Sequence, residues 1–260
     1  MAFRNLLVAD AGPVRTVTVN RPDKLNALNR ETLTELKVAF AAARDDDAVR
    51  VVVLTGAGPK AFVAGADIGE FASASPAQAL AFSRHGQELM SAIERLGKPS
   101  IARINGFALG GGLELALACS LRIAAAGAKL GLPEINLGIL PGFGGTQRTL
   151  RLAGRAAALE LALTGAPVTA ARALEIGLVN RVVEADALDA EVDALAAQLA
   201  ASAPHALRAI LDAVLVGGEA GLDAGLEFES RAFAVCASTE DMREGTRAFI
   251  DKRKPQFSGR

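Results

Sequence analysis

Glu114 follows three consecutive glycines, Gly110, Gly111 and Gly112, and lies in the run Leu113-Glu114-Leu115-Ala116-Leu117-Ala118, a good helix former. Glycines at a helix entrance let a ligand approach the backbone, and the first-turn N–H groups there have no internal acceptor. Together with the helix dipole they make a site for a negative charge, bound or developing. A second carboxylate, Glu134, follows Pro133 in a short apolar loop, and Pro141-Gly142-Phe143-Gly144-Gly145 marks another sharp loop into another helix. Two glutamates and an electrophilic backbone pocket are the parts needed for proton transfer beside a carbonyl.

Each feature alone has a plainer explanation. A glycine triplet is ordinarily a flexible turn, and a glutamate at a helix start ordinarily answers the dipole at the surface. The neighbours decide against this. Glu114 lies between Leu113 and Leu115 in a helix that is apolar almost all round, and such a helix is buried. Glu134 is likewise set among Leu132, Pro133, Ile135 and Leu137. Buried carboxylates are rare unless paired or functional.

A second donor loop fits the same picture. The continuous apolar run Val49 to Thr55 reads as a strand covered on both faces, and the loop after it contains Ala64-Gly65-Ala66-Asp67-Ile68, with little side-chain bulk. Ligands of α/β folds gather at the C-terminal ends of strands. Ser100 to Ile104 is another strand and leads straight into the glycines before Glu114, so two donor loops can converge on one carbonyl oxygen.

The elements that position these groups follow from the apolar pattern. Leu6 to Asn20 reads as two short strands about the Gly12-Pro13 turn. Asn29 is the expected N-cap of a helix through Ala43, and a helix is expected from Pro76 to about Arg95, then a strand at Leu121 to Ala125. Strands alternating with helices argue an α/β fold with helical crossovers. From Thr146 the pattern is helical apart from a strand expected at Leu178 to Val183; helices are expected over Asp186–Ala201, Pro204–Val216, Leu222–Cys236 and Thr239–Arg253. The division expected is an α/β core over 1–185 carrying the site and a helical region over 186–260.

Composition excludes several function classes. The 260 residues are 51% hydrophobic, enough to bury a large core, and the net charge of −1 argues against nucleic acid as the main partner. No stretch reaches the roughly 20 uninterrupted apolar residues of a membrane span. From the start at Met1-Ala2-Phe3-Arg4-Asn5 no secretory leader is expected, and the two cysteines, Cys119 and Cys236, sit in apolar helical patterns as expected of buried thiols. The expected location is the cytoplasm. Phosphate-loop, dinucleotide and nucleophile-elbow patterns are missing, and the only histidines, His85 and His205, lie far apart in helical patterns, so no metal site is expected. Acid–base chemistry by carboxylates remains.

The stretches Ala64 to Ile68, Asn105-Gly106-Phe107-Ala108-Leu109-Gly110-Gly111-Gly112-Leu113-Glu114 and Leu132-Pro133-Glu134 through Gly145-Thr146-Gln147-Arg148 together resemble the crotonase, or enoyl-CoA hydratase/isomerase, superfamily. The similarity covers essentially the whole chain. It implies a fold of repeated ββα units with a C-terminal helical trimerisation region, assembled as a homohexamer of two trimers. It implies an oxyanion hole from the backbone N–H groups of Ala66 and Gly111, and two glutamates flanking a water, Glu114 on the base side and Glu134 on the acid side. Coenzyme A would be held by the loop around Lys24, Leu25 and Ala27 and by the backbone of Ala64, Ala66, Asp67 and Ile68. Gly110, Gly111, Pro133 and Gly142 would hold the substrate, and Phe249 and Lys252 would approach the coenzyme of a neighbouring subunit. Ser120 stands where the family often has Asp, and Leu130 where Phe is common; both look like packing or capping positions.

The implied activity is reversible syn addition of water across the 2,3 double bond of a 2-enoyl-CoA thioester in acyl-CoA degradation, with no cofactor beyond the coenzyme A of the substrate. Retention of both glutamates favours hydration over double-bond isomerisation. Dehydration in the reverse direction and hydration of cyclic or branched acyl-CoA remain alternatives. A non-catalytic CoA- or RNA-binding protein is the alternative of a different class, and the acid pair argues against it.

Overall fold

The computed structural model describes residues 3–70 and 73–260, so Met1 and Ala2 of the expected leaderless start lie outside the described residues. The chain opens with a hairpin, β1 (Leu6–Ala11) and β2 (Val14–Val19), followed by helix α1 (Arg30–Asp45). Asn29 caps α1 as expected: its side chain accepts the Thr32 N–H at 2.8 Å. Three strand pairs follow. β3 (Val51–Gly56) and β4 (Ala61–Val63) lead to α2 (Pro76–Glu94); β5 (Ser100–Ile104) and β6 (Phe107–Leu109) lead to α3 (Gly111–Leu117); β7 (Leu121–Ala125) and β8 (Lys129–Gly131) lead to α4 (Gly145–Thr164). The remainder is β9 (Val168–Thr169), α5 (Ala170–Glu175), β10 (Arg181–Val183), α6 (Leu188–Ala200), α7 (Pro204–Glu219), α8 (Leu222–Ala237) and α9 (Glu240–Ile250).

The first strand of each pair joins one sheet and the second joins another. The six-stranded sheet has the order β1-β2-β3-β5-β7-β10, and the four-stranded sheet has the order β4-β6-β8-β9. This is the repeated ββα architecture that the resemblance implies. Gly56 and Gly106, at the corners between paired strands, leave no room for a side chain: an added Cβ would overlap the carbonyls of Phe62 and Lys60.

Strand parity divides the interior into two cores. Val52, Leu54, Ala102, Ile104 and Ala124 face α1, α2 and α3, whereas Val51, Val53, Ile101, Ile123 and Ala125 face α6 through Leu188, Val192, Leu195 and Ala196. Successive strand residues point to opposite faces, so an unbroken apolar run is what a sheet covered on both sides requires. Each buried Val, Leu or Ile among them contributes roughly 1.5–3 kcal/mol. Helix α6 is thus a layer of the α/β core, while α7 and α8 pack on each other and bury no residue.

Several elements differ from the sequence reading. The expected strand at Leu178 to Val183 starts only at Arg181, because the N–H groups of Leu178 and Val179 both turn back to the Ala173 carbonyl and close α5. The segment after Thr146 also contains β9, and α4 breaks at Gly154, whose φ of 80° is left-handed. Cys236 is only half-buried, because α8 stands away from the core; Cys119 is buried, which pushes its thiol up to about 12. Among the described residues no single helix is long and apolar enough to cross a membrane, and no group of three or more His, Cys, Asp or Glu is placed to hold a metal.

Candidate active site

Glu114 lies on the first turn of α3, a helix whose seven residues are all buried, and its own exposure is 1%. The entrance is Gly110, at φ 49° and ψ −122°, a conformation open to glycine. Gly112 is packed against the Val63 carbonyl of β4, so the helix start is pressed onto the four-stranded sheet. Glu114 Oε1 accepts two backbone hydrogen bonds, from Phe143 N–H and Gly145 N–H, each 2.7 Å. The Pro141–Gly145 loop therefore serves to hold this carboxyl.

Glu134 sits in a 3₁₀ turn, Pro133–Leu137, directly after buried Leu132. It is half-buried rather than buried, because Ile135 and Leu137, expected to enclose it, are themselves exposed. Its Oε2 is screened from solvent yet has no hydrogen-bond partner among the described residues. Such an atom is costly unless a ligand, water or proton completes it. Burial pushes Glu134 above the usual carboxylate range. Burial first, then the charge of Glu134, pushes Glu114 up to about 7, against the pull of its two N–H donors and of Arg148. The charge of Glu134 thus bears directly on the proton of Glu114.

Two backbone donors face the same space. Ala66 forms a parallel bridge with Leu28, in which the bonds run from Leu28 N–H to the Gly65 carbonyl (2.8 Å) and from Asp67 N–H to the Leu28 carbonyl (2.8 Å). Those bonds use the residues flanking Ala66 and turn its own N–H the other way. Gly111 is the first residue of α3, where an N–H has no intrahelical acceptor. A Cβ placed on Gly111 would lie 3.4 Å from the Ala66 nitrogen, so the two peptides are neighbours.

These groups border one cavity of about 540 Å³, which includes Glu114, Glu134, Ala66, Gly110, Gly111 and Pro133. Ala64, Ile68 and Gly142 border it as well. Helix α2 supplies a wall that the sequence reading did not include, with Leu80, Phe82, Ser83 and Gln87, and the turn at Leu137–Leu140 supplies another. The amphipathic spacing of α2 marks an inward face, but nothing in it tells a core from a cavity.

The remaining candidates lie outside the cavity lining. Lys24 and Leu25 are exposed on the 21–28 loop, with Leu25 and Asn26 at positive φ. Asn26, fully buried, fastens that loop by donating to the carbonyls of Ala57 (3.0 Å) and Ala61 (2.9 Å) and accepting from Arg21 N–H (3.0 Å). Arg21 in turn donates to the Ala27 carbonyl and pairs with Asp67 at 3.0 Å, so Asp67 is a tether between the two loops. Phe249 is 86% exposed at the end of α9, and Lys252 is exposed at φ 55°. His85 is half-buried beside Thr34, and His205 is exposed.

The family model for enoyl-CoA hydratase/isomerase matches residues 10–260. A crotonyl-CoA hydratase of Syntrophomonas wolfei is 44% identical over 257 residues, covering 99% of each chain. A short-chain-enoyl-CoA hydratase of Clostridium acetobutylicum is 44% identical over 98% of this chain and 97% of its own. A solved enoyl-CoA hydratase from Bacillus anthracis superposes with a TM-score of 0.95 at 40% identity, covering 99% of this chain and 100% of the other. A match of this extent, on a fold of repeated ββα units with two glutamates at one cavity, places the chain in the enoyl-CoA hydratase/isomerase family.

Proposed function

We propose that this protein is an enoyl-CoA hydratase that adds water across the 2,3 double bond of a 2-enoyl-CoA thioester and, in reverse, removes it from the 3-hydroxyacyl-CoA. The observation that carries this reading is the pair Glu114 and Glu134 at one cavity with the turned-out N–H of Ala66 and the helix-start N–H of Gly111. Attack at C3 develops enolate charge on the thioester oxygen. Two backbone donors stabilise that charge, each worth about 3 kcal/mol by analogy with the loss of one such donor elsewhere.

One carboxylate takes a proton from water as its oxygen bonds to C3, and the other, protonated, gives a proton to C2 as the enolate collapses. Water and both protons are thereby accounted for with no cofactor beyond the coenzyme A of the substrate. We assign Glu114 as the base because two N–H donors hold its carboxyl in place; burial and the charge of Glu134 raise it to about 7, so the shared proton must pass to Glu134 before water attacks. Glu134 suits the acid, since its partnerless Oε2 can carry the proton. Coenzyme A would run along Lys24–Ala27 and Ala64–Ile68, loops joined by the Leu28–Ala66 bridge, with Phe249 and Lys252 contributed by a neighbouring subunit.

The assay is loss of the conjugated thioester absorbance of crotonyl-CoA, repeated over longer acyl chains. No loss with any chain length overturns hydration. Isomerisation predicts instead that one glutamate is silent.

The finer reading of assembly is a homohexamer of two trimers. Its support is the α7–α8 hairpin, which buries no residue of its own chain and exposes Val214, Leu222, Phe233 and Val235. Apolar surface of this extent marks an interaction face. Light scattering at micromolar concentration should give a multiple of the chain mass, and a monomer defeats the reading.

A further inference from the structure

Helix α2 reaches Glu114 through a single peptide unit. Ser83 Oγ donates to the Gly142 carbonyl at 2.6 Å, and Gln87 Nε2 donates to the same oxygen at 3.0 Å. The other end of that peptide is the Phe143 N–H, which donates to Glu114 Oε1 at 2.7 Å. Hydrogen bonds in a chain polarise one another, so donors on the carbonyl oxygen make the N–H of the same amide a stronger donor. We propose that Ser83 and Gln87 are positioning residues for Glu114, orienting and polarising the Gly142–Phe143 peptide against its carboxyl. The proposal rests on the reading of Glu114 as the base of the hydration.

The same face of α2 holds the loop at three further points. Gly86 leaves room for the Phe143 ring, which an added Cβ would overlap. Phe82 meets that ring edge-on, with centroids 5.2 Å apart. Glu94 binds the Arg148 guanidinium at 2.8 and 3.1 Å, and Arg148 donates to the Phe143 carbonyl at 3.2 Å. Residues 82, 83, 86, 87 and 94 fall on one side of a helix by their spacing. Both peptides flanking Phe143 are therefore held by groups that face away from the carboxyl.

The charged groups that bear on Glu114 are few. Glu134 acts from the 3₁₀ turn, and Arg148 acts from α4 with its own charge partly met by Glu94 of α2. Ser83 and Gln87 are uncharged. Their removal therefore reads the hydrogen-bond relay without altering the charge of the site. A scaffolding role alone would change stability and leave the titration of Glu114 where it was.

The test is difference infrared titration of the Glu114 carboxyl, assigned with Glu114→Gln, together with the pH profile of crotonyl-CoA hydration. Ser83→Ala combined with Gln87→Leu should move the Glu114 midpoint upward by about half a pH unit, the order expected of cooperative strengthening by 10–30%. Turnover should fall about tenfold through lost positioning, with KM changed less than about twofold. Ser83→Thr, which keeps the hydroxyl, should leave both close to the parent values. Should the double variant melt early, Ser83→Ala alone should give the same shift in smaller measure. An unmoved Glu114 midpoint in folded variants overturns the relay, whatever happens to turnover. Full hydration by Glu114→Gln would instead overturn the role of Glu114, while the infrared shift would still report the relay.

Discussion

The two carboxyl groups occupy one cavity but are held in opposite ways. Glu114 is enclosed on a fully buried helix, and one of its oxygens is fixed by two N–H donors from a loop about thirty residues further along the chain. Glu134 rides on a 3₁₀ turn with no buried residue, and one of its oxygens has no partner among the described residues. Burial raises both. The difference lies in satisfaction: the fixed carboxyl has two donors in place, whereas the other needs a ligand, water or proton to complete it.

The largest expected effect comes from removing proton exchange at either group. Glu114→Gln and Glu134→Gln should each lower kcat by roughly 10² to 10⁴ with KM little changed, as measured on crotonyl-CoA. The double variant should cost far less than the product of the singles, because both act on one water. A silent glutamate would break the comparison.

Crowding each carboxyl sharpens it. A Cβ on Gly145 would meet Glu114 Cγ at 2.9 Å and Oε1 at 3.0 Å, while a Cβ on Gly110 would meet Glu134 Oε1 at 2.7 Å. Glu114 has nowhere to go, so Gly145→Ala should lower kcat about a hundredfold. Glu134 can swing aside, so Gly110→Ala should chiefly lower stability, by about 1–3 kcal/mol, from the strained backbone at Gly110. Denaturant melts and turnover, measured together, separate the two outcomes; equal kcat losses would contradict the contrast.

The pH dependence of stability follows from the sign of the shift. Glu114 titrates higher in the folded chain, about 7 against the usual 4.5, so the folded state binds more protons between those values. Its contribution to stability is full below the unfolded value and is lost as pH rises through about 7. The loss is on the order of 3 kcal/mol. Glu114→Gln should therefore flatten the fall in denaturation free energy between pH 5 and pH 8 (about that window, set by the two values). A parent-like slope in the variant would refute this.

Much of this was legible in the sequence because backbone chemistry leaves residue-type traces. Gly110-Gly111-Gly112 before an apolar run gave the helix start, and Glu114 within that run gave a buried acid. Asn29 announced its helix by capping chemistry. The short strands β4, β6 and β8 were not legible: three residues each are too few to show a period of two, and they exist only because they pair with one another. Ser83 and Gln87 were hidden for a related reason. Their partner is a carbonyl oxygen, and carbonyls carry no residue type. Ile135 and Leu137 misled, because both are exposed on the 3₁₀ turn, Leu137 at the cavity wall, and they leave Glu134 half-open.

The bridge between Leu28 and Ala66 decides which amide faces the cavity. In a parallel ladder, only alternate residues turn their N–H toward the neighbouring strand, and here Asp67 is in step while Ala66 is out of step. A slip of one residue would exchange them, turning Ala66 inward to the ladder and aiming a different amide into the cavity. The donor at Ala66 is thus a matter of odd and even counting along a backbone, and its guardians are the distant groups that set the count: Asn26 in the loop ahead of Leu28, and Arg21 bound to Asp67.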